Sequence, residues 1–136
     1  MPIYKTRWFD RWARKQDLAT SSLCDAVNEM TKGLFDADLG SGLFKKRIAR
    51  PGQGKSSGFR TLVATNKGHR WVFVYGFPKN ARSNIDADEE EALKKLATHL
   101  LGLTAQAISQ AQHEGELIEV NCHDEENQVP HSRGRP

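Results

Sequence analysis

Apolar residues recur every three or four positions at the start of the chain, alternate or cluster in short runs through its middle, and return to helical spacing beyond residue 86. Ile3–Lys5 reads as a short opening strand. Arg7 to Lys15 and Ser21 to Leu34 read as two helices. On the first, Phe9 and Trp12 lie three apart and face inward. On the second, Leu23, Val27, Met30 and Leu34 keep the spacing, and Thr20, Ser21 or Ser22 is available as its cap. From Gly42 the period changes. LFKKRIA, FRTLVAT and RWVFVYGF are short, rich in β-branched and aromatic residues, and divided by the turn material PGQGKSSG and NKG. Asn66-Lys67-Gly68 predicts a tight antiparallel hairpin in which Gly68 takes positive φ. Alternation sends Arg60, Leu62 and Ala64 to one side and Phe59, Thr61 and Val63 to the other. In the third strand it groups Trp71, Phe73, Tyr75 and Phe77 opposite Val72 and Val74. Both faces of that strand are apolar, so it is expected at the centre of the sheet with helices over at least one face.

The run SNIDADEEEALKKLATHLLGL carries the signs of a third helix. Asp86 or Asp88 caps it, and acidic residues fill its first turn, where the helix dipole favours them. Leu93, Leu96, Ala97, Leu100 and Leu101 form its buried stripe, and Gly102 ends it. Thr104–His113 reads as one more helix, and ELIEV as a final short strand or docking segment. The order predicts an α+β domain: a small antiparallel sheet with two N-terminal helices and a helix after the central strands. Residues 1–103 are expected to form the domain, 104–120 a helix and strand extension, and 121–136, which lack apolar content, a disordered tail.

Charge changes this picture more than composition does. The net charge of +3 is the sum of very unequal parts. Residues 41–82 hold ten Lys and Arg and no Asp or Glu, whereas residues 83–129 hold two basic and eleven acidic groups. Such a reversal within 136 residues predicts a segregated surface with one face suited to polyanion. The competing reading is that adjacent acidic and basic elements neutralise each other in the fold. No apolar run is long enough to span a bilayer, and MPIYKTRWFD lacks the apolar core of a secretory signal. Cys24 and Cys122 are too few and too far apart to suggest a disulfide framework, so reduced cysteines and a cytoplasmic location are expected.

Several chemistries find no support. PGQGKSSG contains Gly-Lys-Ser, but the spacing is wrong for a nucleotide-binding loop, and it joins two strands instead of opening a helix. It still offers backbone N–H groups and Lys55 to an anion. The five histidines are scattered, no metal-ligand spacing is present, and no Ser–His–Asp set can be assembled.

Together, KKRIA, the loop GQGKSSGFR, the hairpin that follows, and VYGFPKNARSNI before an acidic-start helix resemble the RelE superfamily. More narrowly, they resemble the HigB-like branch of RelE-like toxins from type II toxin–antitoxin systems. The resemblance runs from about Tyr4 to Leu103, and its most specific parts are GKSSGFR and the pair Lys79-Asn80. It implies a metal-independent, cofactor-free mRNA interferase that enters the ribosomal A site. There the ribose 2′-OH attacks the adjacent phosphate, leaving a 2′,3′-cyclic phosphate and a 5′-OH. It also implies a cognate antitoxin, usually of helix-turn-helix type, as partner. Matched residue by residue, Arg60, Lys55 and Lys79 become the candidate catalytic cations. Lys46, Arg47, Arg50, Tyr75, Phe77 and Arg82 become candidate RNA contacts. Lys46 and Arg47 point to opposite faces, and Lys46 is favoured for the site. A basic segment without carboxylates then makes sense, since a carboxylate beside the scissile phosphate would oppose transition-state stabilisation. Two readings from other classes compete: a ParE-like inhibitor of DNA gyrase, and a non-catalytic RNA- or ribosome-binding domain.

Overall fold

Alternation in one strand, Phe59–Thr65, divides the molecule into two apolar layers. Phe59 and Val63 join a cluster with Phe9, Leu23, Val27 and Met30, while Leu62 and Ala64 join another with Ala97 and Leu100. A sheet buried on both faces is the result. The computed structural model describes residues 2–50 and 58–122. Within them the order is β1 (Ile3–Thr6), α1 (Arg7–Lys15), α2 (Thr20–Thr31), β2 (Ala37–Gly40), β3 (Leu43–Ile48) and β4 (Phe59–Thr65). There follow β5 (Trp71–Pro78), α3 (Ala87–Gly102), α4 (Ala105–His113) and β6 (Leu117–Glu119).

The strands form one six-stranded sheet in the order β2-β3-β4-β5-β1-β6. β2 through β5 run as an antiparallel meander, and β1 inserts beside β5 in parallel. β6 closes the far edge antiparallel to β1. The fold is therefore α+β, as the pattern of elements predicts, but the sheet is larger than three core strands and is mixed. β1 and β6 are too short to announce themselves, and their pairing depends on partners far away in the chain. β2 carries no apolar alternation and forms because Asp36 and its neighbours return to β3 through main-chain bonds, Asp36 N–H to the Lys45 carbonyl among them (2.9 Å).

Three local details differ from expectation. A bulge between Leu62 and Val63 opposes Val74 to no single partner, so alternation resets within β5. Trp71 and Phe73 lie with α1 and α2, but Tyr75 and Phe77 pair with Leu62 and Arg60 and belong to the α3 side. In the β4–β5 connection Lys67, not Gly68, takes positive φ (67°), because the Asn66 side chain accepts the His69 and Arg70 amides and organises the turn. Capping of α2 falls to Ala19, without a side-chain bond, whereas α3 has the full capping box between Asp86 and Glu89.

The largest departure concerns the cysteines. Cys24 and Cys122 are joined by a disulfide across 98 positions of sequence. β6 explains how they meet. Val120 donates its amide to the Ile3 carbonyl (2.8 Å), so the chain runs back along β1 and delivers Cys122 to α2. The expectation of two separate, reduced thiols is corrected.

Candidate functional site

Helix α3 covers only part of its sheet face. Arg70 on the Leu100 and Leu103 carbonyls (2.7 and 2.9 Å) anchors the helix C-terminus near the start of β5. Nearby, Leu101 fills the space beside Gly42, whose missing Cβ would lie 2.5 Å from its Cδ1. At the opposite end of the same face, where β3 ends and β4 begins, the described residues border a cleft. Cross-strand register sets Arg47 directly beside Arg60, and Lys45 lies two residues along on the same side. A cleft of 290 Å³ is lined there by Asp36, Lys45, Arg47, Arg60, Ser83 and Asn84, with Lys46 and Thr61 also bordering it.

Arg60 is the centre of this cleft. Its NH1 is buried and has no hydrogen-bond partner among the described residues. A guanidinium nitrogen left so inside a protein carries a desolvation cost that an anionic ligand would relieve. The neighbouring groups are held in place. Asp36 accepts the Arg47 amide (2.6 Å) and Nε (3.0 Å), and Lys45 donates to Asn84 Oδ1 (3.2 Å). Like charges at Arg47 and Arg60, directly opposite each other, repel, and the single carboxylate of Asp36 offsets only part of that. A phosphate between them would satisfy both.

The candidate residues separate into those the fold gathers and those it does not. Arg60 and Arg47 meet in the cleft. Lys46 does not act as the alternation argument favours. It points to the other face, is 4% exposed, and is tied to Glu29 (2.6 Å) and the Leu34 carbonyl (2.9 Å), so it is a buried structural cation. Arg50 stacks over the Phe59 ring (4.6 Å), on the helix-covered face. Phe77 sits in register beside Arg60 but is 5% exposed, with the Arg82 guanidinium over its ring at 5.2 Å; it is core and cannot take a base. Arg82 is paired with Glu89 through both of its terminal nitrogens, and Glu89 is held down to about 2 chiefly by that bond. Tyr75 is partly exposed on the cleft's face, its hydroxyl directed at Glu89 (3.5 Å). Lys79 is exposed, and its amide bonds the Gly58 carbonyl (3.0 Å), which brings the end of β5 to the start of β4. Lys55 lies outside the described residues.

Two lining residues carry no signal in the sequence. Lys45 is one of three consecutive cations, and only the register of β3 shows that it shares Arg60's face. Asp36 lies outside the basic segment, so the absence of acid from residues 41–82 does not make a cleft free of carboxylates. Acidic groups from flanking elements also reach Lys46 and Arg82, which accounts for part of the segregated charge as neutralisation. Among the described residues no group of three His, Cys, Asp or Glu side chains could hold a metal ion, and no helix is long and apolar enough to cross a membrane.

No individually curated relative matches the chain. A family model does: that of the RelE toxin of the RelE/RelB toxin–antitoxin system matches residues 1–120, which takes in all ten elements from β1 to β6. The fold, the cationic cleft on its sheet and this match over most of the chain agree, and the protein belongs to the RelE toxin family, a toxin whose counterpart is a cognate antitoxin.

Proposed function

We propose that the protein is a ribosome-dependent mRNA endoribonuclease that cuts the codon in the A site of translating ribosomes in the cytoplasm. The observation that carries this reading is Arg60, which lines a cleft together with Lys45 and Arg47 and has a buried NH1 with no hydrogen-bond partner among the described residues. In-line attack of a ribose 2′-oxygen on phosphorus builds a phosphorane with two negative charges, and breaking the bond to the 5′-oxygen leaves a 2′,3′-cyclic phosphate and a 5′-OH. Fixed cations at the non-bridging oxygens favour that crowded anion over the starting diester. Arg60 and Arg47 hold those oxygens and Lys45 adds to the field, with Lys79 and Lys55 as the further cations that the sequence suggests. Asp36 is the carboxylate lining the cleft among the described residues, and it takes the 2′-OH proton. A lysine returns a proton to the 5′-oxygen. No metal is required for these steps. The GKSSGFR segment and the Lys79-Asn80 pair favour the HigB-like branch, and with it a helix-turn-helix antitoxin.

Induction in bacteria, with transcript 5′ ends mapped within minutes, tests the proposal. Wild type should arrest growth and create new ends inside translated codons, and Arg60→Ala should do neither. Arrest that persists in the variant without new ends would point to a gyrase-type target instead.

A further inference from the structure

The three cations lining the cleft are held in different ways. Arg47 is held by a carboxylate, that of Asp36, and Arg60 NH1 has no partner among the described residues. Lys45 is held by an amide: its ammonium donates to Asn84 Oδ1 (3.2 Å) across 39 positions of sequence. Other lysines of the fold bond to carboxylates, Lys5 to Asp10 (2.9 Å), Lys46 to Glu29 (2.6 Å) and Lys94 to Glu90 (3.2 Å). A carboxylate cancels the charge it holds. A neutral amide oxygen fixes an ammonium in place and leaves its charge, and its remaining N–H groups, for an anion.

The amide is itself fixed. The Ile85 amide donates to the same Oδ1 (2.9 Å), which sets how the carboxamide is turned. Arg82 Nε donates to the Asn84 main-chain carbonyl (2.9 Å). Arg82 is in turn clasped by Glu89, and Glu89 accepts the Asp86 amide (2.9 Å) within the capping box of α3. The short connection from β5 to α3 is therefore braced at both its side chains and its main chain, and Asn84 and Lys45 both line the cleft with Arg60. The Ile85 bond alone would serve the start of α3; the bond to Lys45 reaches across to β3.

We infer that Asn84 is a positioning residue of the cleft: its Oδ1 presents the Lys45 ammonium, charge intact, to the phosphate held by Arg60 and Arg47. An ammonium on a flexible four-carbon stem has many rotamers, and a fixed acceptor restricts them before RNA arrives. Charge placed in advance is what stabilises an anion that develops during reaction. This rests on the nuclease reading and adds to it a neutral side chain from outside the basic segment, acting through Lys45.

Single-turnover cleavage of end-labelled mRNA in programmed ribosomes tests it as a double-mutant cycle: wild type, Asn84→Ala, Lys45→Met and the two combined, with Asn84→Asp alongside. Lys45→Met should slow the cut about 10²-fold, and Asn84→Ala about tenfold, the effect of a cation no longer held in place. Once Lys45 is methionine, Asn84→Ala should cost less than about twofold more, because no ammonium is left to position. Asn84→Asp keeps an oxygen for the Ile85 amide and so should melt as wild type does, but its carboxylate cancels the ammonium. It should be slowed at least as much as Asn84→Ala. A wild-type rate for Asn84→Asp or for Lys45→Met overturns the inference and leaves the nuclease reading intact. A loss from Asn84→Ala that recurs in full on Lys45→Met overturns it too, since Asn84 then acts on its own. If wild type makes no cut, the nuclease reading fails and the inference fails with it.

Discussion

At the scale of single residues, the chemistry turns on which side of a strand each cation occupies. Lys45, Lys46 and Arg47 are consecutive, yet one is a buried strut and two face the cleft. Period-two alternation makes Arg60, Leu62 and Ala64 legible as one face from FRTLVAT alone. It cannot choose between Lys46 and Arg47, because both faces of the sheet are covered somewhere and nothing local says which face carries Glu29. Asp36 has the sharpest residue-level role. Asp36→Asn keeps an acceptor for Arg47 while losing the ability to take a proton. Single-turnover cleavage should fall by about 10²-fold or more, the usual contribution of a positioned base. A rate within a few-fold of wild type would show that Asp36 only holds Arg47 in place.

At the scale of elements, α3 shows what sequence reveals well. Its Asp86 cap, acidic first turn and leucine stripe are local signals, and each is realised. The β5 bulge is the opposite case. RWVFVYGF alternates without interruption, so Tyr75 and Phe77 are grouped with Trp71 and Phe73 until the partner strand shows where register slips. The α3 cap also makes a pH prediction. Glu89 accepts from Arg82 and from the Asp86 amide, and its pKa is lowered from 4.5 to about 2. A depressed carboxylate stabilises the fold above its unfolded value and loses that contribution as pH falls toward its folded value. Melting temperatures measured downward from pH 5 should therefore decline less steeply for Glu89→Gln than for wild type between about 4.5 and 2. At pH 7 the variant should be the less stable of the two. Parallel curves across that window would contradict the assignment.

At the scale of the molecule, two long-range links close the fold: β6 against β1, and Cys24 to Cys122. Neither is legible in the sequence, since a three-residue strand and two cysteines 98 positions apart carry no local pattern. Closing a loop of that length restricts the unfolded chain by about 4–5 kcal/mol in the chain-entropy model. Replacing both cysteines by serine should lower the melting temperature by roughly 10–20 °C, and reductant should do the same to wild type. A melting point indifferent to reductant would mean that the disulfide does not form in solution. The cleft lies on the α3 face and the disulfide on the α2 side, so the cysteine variant should still cleave below its melting point.

The central claim is that the cations lining the cleft of this sheet, Arg60 among them, cut RNA. The most direct measurement is single-turnover cleavage of end-labelled mRNA in programmed ribosomes by wild type and Arg60→Ala, with the product ends identified chemically. The account predicts a cut in the A-site codon with a 2′,3′-cyclic phosphate on the 5′ fragment, slowed at least about 10²-fold by the substitution. A cut at the wild-type rate without Arg60, or no cut by the wild type, would contradict it.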